Sequence, residues 1–298
     1  MTKELSLSAI VVSFNNEEQL GRCLSTLYGQ AVDTESELIV VRAGEPSSAL
    51  KHSYPQIKWI QAPAGTTVPM MRTLAIQAAL GDIVALTEDD CVVAPDYCAA
   101  LKTAHHIQCD AIGGAVQPGS FDKALDWGVF FCEYGRFMPP LTGDVKALPG
   151  NNLSYKKHVL IELLEKGDIA DGFYEAFVNS GLSGAGRQLK ADSTILVRNE
   201  NRWHMQNVTS IPFHHGRSFA AMRFAKTATW QRLAYLCISF GLPAIQTYRV
   251  AREVKQRQQY APRLLAALPS IILFWSSWSA GEFMGYLLGP GESLKQWR

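Results

Sequence analysis

Three acids stand in a row at Glu88-Asp89-Asp90, just behind the apolar run Asp82–Leu86 (DIVAL). Carboxylates this close repel one another and raise each other's pKa. A divalent cation removes the conflict. Hard carboxylate oxygens suit Mg²⁺ or Mn²⁺, shared with the phosphates of a substrate. Taken alone, the same cluster also fits a solvated acidic turn. Two further polar groups close apolar runs in the same way: Ser13–Asn15 at the end of Leu7–Phe14, and Arg42 at the end of Glu37–Val41. His214-His215-Gly216-Arg217 is a fourth candidate. A loop of that composition can close over a diphosphate and offset charge on the leaving group. Arg217 is its chemically active member, and His214 reads as structural.

The elements that must carry these residues alternate. Leu7–Phe14, Glu37–Val41, Lys58–Gln61 and Asp82–Leu86 read as strands, the first nearly continuously apolar, as in a strand buried on both faces. Glu18–Tyr28 places Leu20, Cys23, Leu24 and Leu27 on one helical face. Asn15 and Asn16 before it are turn or N-cap residues. Val68–Leu80 reads as a helix with Gly81 as its C′ glycine. Strand and helix in alternation imply a parallel sheet with right-handed crossovers. Such sheets bind ligands at the carboxyl ends of their strands. Ser13–Asn15, Arg42 and the acidic cluster are therefore expected to line one crevice. Further on, Ala111–Val116 reads as a strand broken by two glycines. Leu153–Lys166 and part of Phe173–Leu189 read as helices, and Leu189–Val197 as a strand.

Composition narrows the class. With 298 residues, 47% hydrophobic, 18% charged and a net charge of +1, the chain is long enough for a real core, is not disordered, and lacks the basic excess of a nucleic-acid binder. The balance hides an asymmetry: residues 1–212 carry −7 and residues 213–263 carry +8. Anionic phosphates or an anionic lipid surface are the usual reasons for such a segment, a solvated basic helix face the plainer one. Six cysteines without CxxC spacing read as reduced, small apolar residues of an intracellular protein. Leu7–Phe14 is too short for a signal peptide. The tail holds two apolar stretches, Leu233–Tyr248 and Leu264–Leu288, interrupted by Pro243 and Pro269. If the first crossed a bilayer, the basic linker 249–263 would lie on the far side, against the positive-inside tendency. A helical pair embedded in or lying on the membrane is the preferred reading. A buried hairpin or the interface of a homo-oligomer is the alternative.

The succession VVSFNNEEQLGRCLSTLYGQ, ELIVV and PMMRTLAIQAALGDIVALTEDDCVVAP, with PGNNLSYKK at Pro149–Lys157, resembles the family-2 glycosyltransferases of the GT-A fold over roughly residues 8–200. The resemblance implies transfer of a sugar from a nucleotide-diphosphate donor. It makes Asp90 a ligand of the bridging Mg²⁺ or Mn²⁺. Glu88 becomes the first carboxylate of that motif, a contact to the donor ribose or sugar and a second metal ligand, with Asp89 beside it on the donor, and Arg72 a donor contact. Ser13, Asn15 and Glu17 fall where the family holds the nucleoside. The family's base, counted back from Gly186, falls on Glu175, with Asp171 as runner-up; an inverting transfer needs such a carboxylate to take the acceptor proton. The sequence departs from the family pattern at Arg42, where an Asp that reads the base usually stands, and at Thr73 and Ala75 after Arg72.

The expected architecture is thus α/β. A GT-A, Rossmann-like mixed sheet flanked by helices occupies residues 1–212, and a basic, membrane-associating helical hairpin occupies 213–298. The expected partners are a nucleotide-sugar donor, a glycan or lipid-linked acceptor and the cytoplasmic face of a membrane, without nucleic acid. A sugar-nucleotide pyrophosphorylase is disfavoured because SFNNEE is not a Gly-rich basic loop. The rival from another class is a non-catalytic membrane scaffold with a degenerate transferase domain.

Overall fold

A computed structural model describes residues 4–14, 16–224 and 229–297. Two compact units emerge, one of residues 1–119 and 137–200, the other of residues 120–136 and 201–298.

The first unit is built on a nine-stranded sheet in the order β3-β2-β1-β4-β8-β6-β9-β5, with β7 (Gly143–Asp144) paired to β9. Strands β1 (Leu7–Ser13), β2 (Glu37–Arg42), β3 (Lys58–Gln61) and β4 (Ile83–Glu88) are parallel. All of β1 is buried, as a continuously apolar strand with helices on both sides must be. Then the sheet turns mixed. β8 (Asn152–Lys156) runs antiparallel to β4 and to β6 (Ala111–Pro118), β9 (Leu189–Asn199) lies parallel to β6, and β5 (Cys91–Val93) runs antiparallel to β9. Register sets the functional edge: Ser13 lies opposite Arg42, and Val12 opposite Glu88. The carboxyl ends of β1, β2 and β4 are therefore adjacent, as the alternation implies.

Helices α1 (Glu17–Asp33), α2 (Ser48–Ser53), α3 (Val68–Ala78), α4 (Tyr97–Ala104), α6 (Lys157–Glu165) and α7 (Glu175–Gly184) belong to the same unit. α1 buries Leu20, Cys23, Leu24 and Leu27, the face its periodicity marks, and Asn16 is its N-cap, accepting from the Gln19 amide at 3.0 Å. Four of the six cysteines (Cys23, Cys91, Cys98, Cys109) are buried, and all six are unpaired.

Three local expectations are corrected. Gly81 is not a left-handed helix cap; α3 ends at Ala78, and a Cβ at Gly81 would fall 2.5 Å from the Ser8 amide nitrogen, so the glycine admits β1. Leu153–Lys156 is strand rather than helix, because β4 and β6 pair with it on both sides. β6 is not broken by its two glycines. Its register against β9 shifts between Gly114 and Ala115, where a Cβ on Gly114 would meet the Ile195 carbonyl at 2.1 Å.

The second unit is helical: α5 (Ala124–Tyr134), α8 (Met205–Phe224), α9 (Thr229–Gln256) and α10 (Ala261–Leu288). The expected boundary at 212 falls inside α8. Val129, Trp203, Val208, Ile211 and Phe274 form its core, so the aromatic run Trp127–Phe131 packs inward. α10 meets α8 at small residues: a Cβ on Gly281 would lie 2.0 Å from the Phe213 carbonyl oxygen. Among the described residues one helix, Gln258–Leu288, is long and apolar enough to cross a membrane.

Candidate active site

The site is built where β4 runs out. Its hub is Arg72 on α3, 4% exposed. Arg72 Nη1 donates to Glu175 Oε2 at 2.5 Å, while Nη2 donates to Glu88 Oε1 at 2.7 Å and to the Gly150 carbonyl at 3.3 Å. One guanidinium thus joins the end of β4 to the first residue of α7, which lies 103 positions beyond Arg72 in sequence. Burial alone would lower the Arg72 pKa, but Glu175 and Glu88 outweigh it and hold the cation above its ordinary value. Glu175 opens α7, where a helix favours an acid. Gly150 makes room: a Cβ there would lie 3.0 Å from Glu175 Oε1 and 3.3 Å from Arg72 Nη2.

The next two acids have other partners. Asp89 Oδ2 accepts from the Phe14 amide at 3.1 Å, which ties the end of β4 to the end of β1. Burial pushes the Asp89 carboxyl up to about 6, against the Ser13 hydroxyl and the Phe14 amide, which pull it down. Asp90 is pinned through Oδ2 by Asn199 Nδ2 at 2.8 Å, and the Cys91 thiol lies 3.3 Å from its Oδ1. Burial first, and then the charges of Glu88 and Asp89, push the Asp90 pKa upward. Buried carboxylates that resist ionisation are the condition a divalent cation relieves. Among the described residues no group of three or more His, Cys, Asp or Glu side chains could hold a metal ion by itself. Buried Asp90 and its neighbour Glu88 supply hard carboxylate oxygens of the kind that such a cation takes.

At the neighbouring strand end, Arg42 is buried, and its Nη1 donates to Glu17 Oε1 at 3.2 Å. The same oxygen accepts from the Ser47 amide at 2.8 Å. Ser47, through side chain and amide, and then Arg42 hold Glu17 below its ordinary pKa. Ser13 is fully buried at the end of β1. Asn15 lies outside the described residues. Asp171 is exposed in the turn before α7.

The expected basic loop at 214–217 is corrected. These residues are helical, within α8, and Arg217 Nε donates to the Gly289 carbonyl at 2.9 Å inside the second unit. Gly216 does not open a loop; it lets the helix approach the Trp278 carbonyl. Two members of the site were missed by the sequence reading, Asn199 and Gly150. The pairing of β5 with β9, which sets Asn199 opposite Cys91, has no local signature. Gly150 stands in PGNN, a segment whose resemblance could have pointed to it.

Solved structures share this fold. A mannosyltransferase, PcManGT from Pyrobaculum calidifontis, in complex with GDP-Man and Mn²⁺, is similar with a TM-score of 0.61 and 15% identity over 95% of this chain and 88% of that one. GalNAc-T7 with UDP, GalNAc and Mn²⁺ is similar with a TM-score of 0.52 and 12% identity over 68% of this chain and 45% of that one. At these identities the likeness is one of fold, and the fold is GT-A-like. The pattern of Glycosyl transferase family 2 matches residues 8–164, more than half of the chain, which belongs to that family and is a glycosyltransferase. Arg72 and Glu88–Asp90 lie within the match; Glu175 and Asn199 lie beyond it. No curated protein matches the chain by sequence.

Proposed function

We propose that the chain transfers a sugar from a nucleoside-diphosphate donor to an acceptor hydroxyl with inversion at the anomeric carbon. The carrying observation is the Arg72 hub, which gathers Glu88 and Glu175 beside Asp90 at the carboxyl edge of the sheet. Glu88 and Asp90 would hold Mg²⁺ or Mn²⁺, which when bound neutralises the diphosphate as it leaves. The neighbours' Mn²⁺ and their GDP-Man or UDP support this reading. Ser13, Asn15, Glu17 and Arg42 take the nucleoside side of the donor.

Glu175 is the base. Arg72 holds its Oε2, and the space over Gly150 accommodates its Oε1. The acceptor oxygen bonds to the anomeric carbon, the bond from that carbon to the diphosphate breaks, and the hydroxyl proton passes to Glu175. Asp171, exposed in the turn before α7, is the alternative base. Arg72 also keeps Glu88 and Glu175 from repelling each other. The acceptor is a lipid-linked or cell-envelope glycan, reached at the cytoplasmic face of a membrane that the basic and apolar second unit approaches.

The test is release of nucleoside diphosphate across a panel of nucleotide sugars, with and without chelator. Release with at least one donor, abolished by chelator, is expected. Release that chelator leaves untouched overturns the metal assignment.

A further inference from the structure

α9 wears its apolar side chains outward. Trp230 is 70% exposed, Leu233 62%, Phe240 78% and Tyr248 68%. They recur at the spacing that keeps helical residues on one face. Its inward side carries Ser239, Val250 and Val254, all buried, and Arg232, which donates through Nη2 to the Leu287 carbonyl at 2.8 Å. An outer face this apolar is unlike that of a helix on a water-soluble surface. The outward stripe covers about 27 Å at the usual helical rise. It then turns basic: Arg252 and Lys255 continue the same face, with Arg249 at its flank, all three exposed. The acid nearby, Glu253, is 3.1 Å from Arg257 and 3.7 Å from Arg252.

We infer that α9 is the membrane-docking element and lies flat in an anionic leaflet, with Trp230–Tyr248 among the upper acyl chains and Arg249, Arg252 and Lys255 on the headgroups. This rests on the reading that the enzyme works at a membrane, and names the surface and the lipid charge. α10, although apolar, is the scaffold. Its Ser277 hydroxyl donates to the Thr209 carbonyl and its Ser279 hydroxyl to the Ser239 carbonyl, and it carries the buried Glu282, bonded to Trp278 Nε1 at 2.8 Å. Spanning would strip these packed partners and place Glu282 in hydrocarbon. Charge decides between a leaflet and a second α9 packed on the same stripe. A second α9 offers no anionic stretch to three cations, whereas an anionic leaflet meets the apolar and the basic part of the stripe together.

The experiment is flotation of the full chain with phosphatidylcholine vesicles, with and without phosphatidylglycerol. The Trp230→Glu and Phe240→Glu variants and the triple Arg249→Gln/Arg252→Gln/Lys255→Gln variant are compared, with nucleoside diphosphate release in vesicle-free solution measured in parallel. The wild type is expected to float with the anionic vesicles. Each aromatic-to-Glu change should weaken that by roughly tenfold to a hundredfold. The triple change should cut the preference for anionic vesicles by roughly a hundredfold at low salt. A fluorophore on Cys237, the exposed cysteine on the same helix, should move to an apolar environment when vesicles are added. These variants alter exposed side chains, so diphosphate release should stay at the wild-type level and vouch for folding. Binding by the wild type that the aromatic variants retain overturns the assignment to α9 while leaving membrane work intact. No binding by the wild type overturns both. A dimer that Phe240→Glu splits, in a chain that binds no vesicles, shows a second copy on the stripe and also overturns the proposal.

Discussion

The carboxyl edge of the sheet and the outer face of α9 invert the ordinary rule of protein surfaces in opposite ways. At the sheet edge, charges are taken out of water: Arg72, Asp89 and Asp90 are each less than a tenth exposed. On α9, aromatic and aliphatic side chains are put into water. Both arrangements are unfavourable unless something compensates. At the sheet edge the compensation is mostly internal, through Glu88, Glu175, Asn199 and the Phe14 amide, and the part left over is the charge of Asp90. On α9 little of it is internal: Phe240 meets the Phe283 ring of α10 and still stays 78% exposed. Buried charge with nearly complete partners marks a preorganised site, and uncovered apolar surface marks a docking face.

The sheet edge gives the largest expected effect. Asp90→Asn keeps the shape and removes the charge, and transfer should fall by roughly a hundredfold to a thousandfold, the usual loss when one electrostatic stabiliser goes. Retained transfer in that variant would make the acidic cluster structural. Next is the hub itself. Arg72→Ala leaves Glu88 and Glu175 partly buried without their cation, at 22% and 31% exposure. The loss of stability should fall between the exposed and buried limits, roughly 1–3 kcal/mol by urea unfolding, together with loss of transfer. An unchanged midpoint would mean that the ion pairs are not formed in solution.

A pH comparison separates Asp89 from the groups around it. Its folded pKa, about 6, lies above the ordinary 3.8. Ionisation is therefore harder in the folded protein, and the stability associated with the neutral form is lost as pH rises from about 4 to about 6. In chelator, Asp89→Asn should gain stability relative to the wild type across that window, by at most about 3 kcal/mol. A relative loss there would contradict the burial argument. Smaller again is Asn199→Ala. Releasing Asp90 Oδ2 should weaken Mn²⁺ binding by roughly tenfold to a hundredfold, the range for groups that orient a ligand, and leave nucleotide binding without metal unchanged.

Much of the sheet edge could be read before the structure. Leu7–Phe14, Glu37–Val41 and DIVAL carry their parallel order in their alternation with helices, and the acids follow from where the third ends. What stayed hidden was long-range pairing. That Leu153–Lys156 is a strand depends on β4 and β6 on either side, since its own apolar pattern also fits a helix. Asn199 reaches Asp90 only because β9 pairs with β5. The 214–217 segment failed for another reason. Gly216 and His residues look loop-like alone, and only packing against α10 makes them helical. On α9 the basic excess was legible from charge counts, but which face is exposed was not, because apolar residues surround much of that helix.

Calorimetry with a panel of nucleoside-diphosphate sugars and Mn²⁺, run on the wild type and on Asp90→Asn, puts the transferase reading at risk in one titration series. One donor should bind to the wild type in a Mn²⁺-dependent manner, and that dependence should vanish in the variant. Equal, Mn²⁺-dependent binding to both proteins, or none to either across the panel, would contradict a donor diphosphate and its cation meeting at the end of β4.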